Sequence, residues 1–135
     1  MGRKKTLYSI NICEEVKRLY KSKIGIKQID IEDFQKWYDS KNGCCDYCGL
    51  TSSESLLLFN NYPKSTRGGK RGQRLELDRI NPLITNYGTD INNLALACYW
   101  CNNAKTNYFT FDEFKKIGEM IKEIQQSRIN KIKKK

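Results

Sequence analysis

The chain has 135 residues, 39% of them hydrophobic and 30% charged, with only two prolines. That is the length of one ordinary domain with a modest core, and the composition excludes collagen-like, Pro-rich and low-complexity chains. Twenty-five Lys and Arg against 15 Asp and Glu give a net charge of +10. Such a surplus on a small body favours a polyanionic partner, nucleic acid first and an anionic membrane surface second; a merely solvating lysine surface is the plain alternative.

Apolar runs such as Leu56 to Phe59 fall far short of the ~20 residues of a spanning helix, so no membrane partner is expected. Arg3, Lys4 and Lys5 are not followed by the apolar stretch of a signal peptide, and a cytoplasmic location is expected. There is no histidine. The commonest general base and the commonest metal ligand are therefore both missing, and any catalysis must run on other groups.

In chain order, residues 1–9 are basic and expected to fray. Ile12, Val16, Leu19 and Tyr20 recur at helical spacing and predict a helix from Asn11 to about Lys21. Asp30 is a candidate N-cap for a second helix, whose apolar face is Ile31, Phe34, Trp37 and Tyr38. Residues 56–62 read as a short strand. The stretch from Pro63 to Gln73 is a Gly-rich basic loop carrying Lys64, Arg67, Lys70 and Arg71. It reads equally as a solvated loop or as one that meets phosphates.

From Arg74 to Ile80, Leu75 and Leu77 alternate with polar residues, predicting a strand; Asn93 to Ala97 predicts another. A helix is expected from near Cys98 to Asn107. Thr110 and Glu113 form a capping box for a long last helix, with Phe114, Ile117, Ile121 and Ile124 on its apolar face.

Six cysteines stand in the chain, and four make two CxxC pairs, Cys45–Cys48 and Cys98–Cys101. Each pair aims two thiolates at one point, and two pairs complete the closed tetrahedron of a structural zinc site. Disulfides are the competing reading, which the missing secretory signal disfavours. The long spacer between the pairs frames a folded insertion. Cys13 is expected to be a small buried residue on the first helix, and Cys44 a competitor of Cys45 for the metal.

The order knuckle, strand ending in Asp78, loop, strand, knuckle, helix opening with Asn102 resembles the HNH, or ββα-metal, endonuclease family. The residues that carry the resemblance are Leu75–Ile80, Asn93–Cys98 and Cys101–Lys105, within about 45–108. A rare-cutting restriction branch of that family is closer still. It shares Asp33-Phe34, Trp37-Tyr38, Cys45 to Gly49, Asp78-Arg79 and Ala97 to Asn102, with Lys105, Asn107 and Phe109. Most members have Asp-His at the strand end, whereas this chain and that branch have Asp-Arg. Unlike that branch, the chain has no second set of knuckle cysteines in its N-terminal part, which bears on dimer geometry and site recognition.

The resemblance implies an α+β fold: a small zinc-stabilised ββα-metal core over 44–109, an N-terminal helical segment over 1–43, and a C-terminal helix with a basic tail over 110–135. It implies a divalent-metal-dependent endonuclease of double-stranded DNA, most simply a type II restriction enzyme. A nicking or homing enzyme and a non-catalytic zinc-bearing DNA-binding module are the alternatives. The family's ligands of the catalytic divalent ion fall on Asp78 and Asn102, one carboxylate and one amide, a set that suits Mg²⁺.

Arg79 stands where the family has its histidine base. It stays protonated, so it clamps phosphate instead. Tyr47, Tyr38 and Glu76 are left as candidates to activate water. Asn93 is expected to tie the inter-strand loop to the helix. Lys105 shares a helix face with Asn102 and is expected to meet phosphate, along with Lys64, Arg67, Lys70, Arg71 and Arg74. Cutting at a palindrome would call for a homodimer.

Overall fold

The computed structural model describes residues 11–62 and 71–134. The basic N-terminus and Lys64, Arg67 and Lys70 lie outside the described residues. Helix α1 spans Glu14–Ser22, with Glu14 and Glu15 in its first turn and Lys21 in its last, the arrangement that suits the helix dipole. It buries Val16 and Leu19. Cys13 is exposed, contrary to expectation. It precedes the first turn with extended backbone angles, and its N–H donates to Gln35 Oε1 at 3.0 Å.

Helix α2, Ile31–Ser40, is capped by Asp30, which accepts from the Glu32 N–H. Its fully buried Phe34 stacks on Trp37 at 5.2 Å and meets Tyr20 of α1 at 5.6 Å. Burying a ring of this kind contributes roughly 2–3 kcal/mol.

Residues 56–62, read as a strand, belong instead to helix α3, Ser52–Asn61. Thr51 and Glu54 form a complete capping box, and this satisfies the backbone donors that a helix start leaves open. Strands β1 (Glu76–Arg79) and β2 (Leu94–Ala97) pair antiparallel, with Glu76 opposite Ala97 and Asp78 opposite Ala95. All of β2 is buried. Its second edge is taken by the first knuckle: Asp46 N donates to Leu96 O at 2.7 Å, and Leu96 N donates to Asp46 Oδ2 at 2.8 Å.

Helix α4 spans Tyr99–Lys105 and α5 spans Phe111–Lys133, the latter opened by the expected Thr110–Glu113 box. The inward face of α5 is Phe114, Gly118, Gln125 and Ile129. Ile117 and Ile124 of the expected apolar stripe are exposed. Gly118 explains the rotation. A Cβ there would lie 2.6 Å from the Tyr47 carbonyl oxygen, so only glycine lets α5 close over the first knuckle. One hydrophobic cluster runs from Val16 to Ile129 and joins the helices to the hairpin.

Candidate active site and metal centre

The two knuckles converge. The Sγ atoms of Cys45, Cys48, Cys98 and Cys101 all lie within 4.8 Å of one another, and all four residues are buried. Cys48 and Cys98 sulfurs are 3.7 Å apart. Four thiolates on a tetrahedral zinc at ~2.3 Å would sit about 3.8 Å from each other, so the set fits such an ion. Backbone N–H groups of Tyr47 and Cys101 point at Cys45 Sγ and Cys98 Sγ, each at 3.4 Å.

The Cys45 thiol is held below its ordinary range by hydrogen bonds from Cys101, Cys48 and Cys98, while the same contacts and burial push Cys101 up. Four thiolates gathered this closely would repel one another, and a cation at their centre would offset that charge. Cys44 stands outside this set. It bridges to Thr51, and its Sγ faces Asn42 O.

Next to this cluster, the strand-to-helix interface gathers the polar residues singled out above. Asp78 is 5% exposed. Its Oδ2 accepts from the Tyr47 hydroxyl at 2.6 Å and lies 3.2 Å from Lys105 Nζ. Among the described residues, both partners of Asp78 sit on that one oxygen. Lys105 also donates to Arg79 O at 2.8 Å and is completely buried. The expectation that Lys105 meets phosphate is therefore corrected: it does share a face with Asn102, but that face turns inward onto the Asp78 carboxylate.

Asn102 donates from Nδ2 to Glu76 Oε1 at 2.9 Å. Glu76 is in turn gripped by Arg71 through two hydrogen bonds, at 2.7 and 3.0 Å. These bonds also raise the Arg71 pKa further, and its guanidinium lies 4.8 Å from the Tyr99 ring centroid. Because Glu76 and Asp78 are two apart in β1, they share a strand face. Asn102 and the Asp78 carboxylate thus belong to the same hairpin–helix seam.

Arg79, one residue on, turns the other way. Its guanidinium donates to Asn107 Oδ1 at 2.9 Å and Thr85 O at 3.4 Å, and lies 5.3 Å from the Tyr87 ring. Thr106, with φ of 54°, turns the chain out of α4 and carries Asn107 to this position.

Tyr47 is 1% exposed, walled by Phe111 at 5.1 Å and Phe114 at 5.2 Å. Burial first, and Asp78 second, push its hydroxyl pKa well above the ordinary tyrosine value. A buried hydroxyl that donates to a carboxylate is not placed to take a proton from water. Tyr38, raised by burial and then by Glu15, faces α1. Asn93 is buried, and its amide holds Asn81 from both sides, accepting at 2.8 Å and donating at 3.3 Å. It fastens the inter-strand loop across the hairpin rather than to the helix. Arg71 and Arg74 are half exposed or more. Asn107 was not read from the sequence as Arg79's partner, since 28 residues separate them.

A two-stranded antiparallel hairpin feeding a short helix, braced by four cysteines, with Asp78 and Asn102 in the seam, is the ββα-metal arrangement of a nuclease. Residues 45–108 match the model of the HNH endonuclease family. Among solved structures it is similar to the rare-cutting HNH restriction endonuclease PacI, described as exhibiting an extraordinary mechanism of DNA perturbation. The identity is 29% and the TM-score 0.60, over 74% of this chain and 66% of that one. The match thus spans just under two thirds of PacI. No curated protein sequence matches this chain. Among the described residues no helix is long and apolar enough to cross a membrane.

Proposed function

We propose that the chain is a divalent-metal-dependent endonuclease that hydrolyses phosphodiester bonds of double-stranded DNA at a specific short site, in the manner of a type II restriction enzyme. The observation that carries this reading is that Glu76 and Asp78 lie two apart on β1 while Asn102 of α4 bonds to Glu76, which brings the Asp78 carboxylate and the Asn102 amide to one hairpin–helix seam. A pure DNA-binding module has no use for it. The net charge of +10 and the similarity to PacI support DNA as the substrate. Two copies would be needed to cut both strands of a palindrome. The four reduced cysteines suit zinc in a reducing cytoplasm.

In this reading Asp78 and Asn102 hold Mg²⁺ or another oxygen-preferring ion. When bound, the ion neutralises a non-bridging phosphate oxygen and steadies the leaving 3′-oxygen. The chain's own residues do the rest. Tyr47 and Lys105 fix Asp78 through Oδ2. Glu76, itself clamped by Arg71, accepts a hydrogen bond from the Asn102 amide nitrogen and so leaves the amide oxygen for the ion. Arg79, already aligned by Asn107 and Tyr87, meets the scissile phosphate and the charge that develops on it.

The test is digestion of plasmid and phage DNA with Mg²⁺ supplied or withheld, with sequencing of product ends. Discrete Mg²⁺-dependent fragments are expected. Binding without cleavage across several divalent ions would sink the enzyme reading. In the same assay Arg79→Ala should lower turnover at saturating DNA about 10²–10³-fold, with affinity little changed. A loss confined to affinity would make Arg79 a docking contact.

Glu76→Ala should weaken Mn²⁺ binding to the zinc-loaded protein 10–100-fold. Glu76→Gln, whose amide oxygen still accepts from Asn102, should weaken it less. Calorimetric Mn²⁺ titration reads both, and an unchanged affinity in the alanine variant would remove Glu76 from the site.

A further inference from the structure

Helix α1 lies outside the residues matched by the HNH family, yet it forms one wall of a cleft that ends at the candidate metal seam. Two adjoining hollows, about 260 and 380 Å³, share Arg18, Arg71 and Glu76 as lining. Lys23 and Leu77 border the first, Arg74 the second. Glu76 is the carboxylate that holds Asn102, so the cleft opens directly onto the seam.

Its walls are cationic and pre-aimed. Arg18 is fixed by Leu75 O at 2.7 Å and by two bonds to Glu15. Arg74 meets the same Glu15 at 3.2 Å while its side chain stays 60% exposed. Arg71 is fixed by Glu76 and Tyr99. Four cations, Arg18, Lys23, Arg71 and Arg74, thus face two carboxylates, Glu15 and Glu76. The positive surplus continues past the cleft, because the Tyr87 ring carries Lys23 at 5.1 Å and Arg79 at 5.3 Å. From Arg74 to Arg79 the row follows the chain that leads into and through β1, roughly 17 Å if extended, comparable to the axial rise of about five base pairs.

We propose that this cleft is the phosphate track of the bound DNA strand, with α1 as its outer wall, delivering the backbone to Arg79 and the Asp78–Asn102 seam. This rests on the nuclease reading above and adds to it residues that the nuclease core does not contain. Phosphates fit because three of the four cations are guanidinium groups held in place by their neighbours, a group suited to oxyanion contact. The rings beside the row, Tyr87 and Tyr99, are already faced by its cations, so the contacts are with backbone and carry little sequence preference.

The experiment is fluorescence anisotropy of a labelled non-cognate duplex with Ca²⁺ in place of Mg²⁺, following log affinity against log salt. Lys23→Gln and Arg74→Gln should each reduce the steepness of that dependence by about 0.9, and the pair by about 1.8. Arg74 is exposed and Lys23 half-buried, and among the described residues neither side chain bonds to a backbone group. Lys36→Gln, on the exposed side of α2, should leave the slope unchanged. A double variant with the wild-type slope, in a protein that still cuts DNA, would overturn the track and leave the nuclease standing. An equal loss in Lys36→Gln would also overturn it, since diffuse charge would then suffice. A wild-type chain that binds no duplex would overturn both readings.

Discussion

Asp78→Asn should remove cleavage and keep the fold, whereas Asp78→Ala should damage both. The reason is Lys105, completely buried with its ammonium 3.2 Å from the Asp78 carboxylate. A buried ion that loses its partner costs about 3–5 kcal/mol, a large fraction of the ~5–15 kcal/mol that holds a domain together. The alanine variant leaves the Tyr47 hydroxyl and the Lys105 ammonium facing a void. An asparagine still accepts a hydrogen bond from Tyr47 and offers Lys105 an oxygen, while the Arg79 carbonyl remains.

What the asparagine cannot supply is the negative charge for a divalent ion. If that interaction is worth ~4 kcal/mol in the transition state, cleavage falls about a thousandfold. The separation can be made sharper by removing both charges. Asp78→Asn with Lys105→Met should regain much of the melting temperature lost by Asp78→Asn, because replacing a buried pair with an apolar side chain is often neutral or better. Cleavage should stay lost. Thermal unfolding and plasmid digestion on the four proteins decide it. Full activity in Asp78→Asn would strip Asp78 of its role, and a wild-type melting temperature in Asp78→Ala would deny that Lys105 depends on it.

This coupling was only half legible in the sequence. Three-residue spacing puts Lys105 and Asn102 on one helix face, and that face is indeed the one that meets β1. Spacing does not say whether a face looks out to phosphate or in to a carboxylate 27 positions earlier. The same limit hid Arg79's partner Asn107, brought back by the turn at Thr106.

Strong local chemistry read correctly: paired CxxC, alternating Leu75 and Leu77, the Thr110–Glu113 box. The misreadings came where one local signal was weighed without its neighbour. Leu56 to Phe59 is an apolar run compatible with either strand or helix, and the Thr51–Glu54 box just before it decides for helix. In α5 the isoleucines suggested the inward face, yet close packing of the helix on Tyr47 needs Gly118 there, and a hydrophobic pattern gives a glycine no weight.

Cys98→Ser should cost the protein its folded state, and the geometry makes this substitution unusually clean. Cys98 occupies the N-cap of α4, its Sγ accepting from the Cys101 N–H. Serine is among the best residues for that position, so the helix start survives the change and only one of the four clustered thiols is lost. Structural zinc in a four-thiolate site is worth an apparent ~10–16 kcal/mol, as much as the whole stability of an ordinary domain.

The consequence should reach the active site. The first knuckle supplies the second edge of β2 through Asp46 and carries Tyr47, which holds Asp78 from beneath Phe111 and Phe114. Releasing the metal frees the knuckle, withdraws Tyr47, and leaves Asp78 with Lys105 alone. One zinc per chain is therefore expected by elemental analysis. Near-ultraviolet dichroism of the tyrosines should collapse in step with zinc release to a chelator, with cleavage lost in the same titration even when Mg²⁺ is in excess. A chelated protein or a Cys98→Ser variant that melts cooperatively at the wild-type temperature would show that the four sulfurs pack as a core of thiols, and that the fold stands without an ion between them.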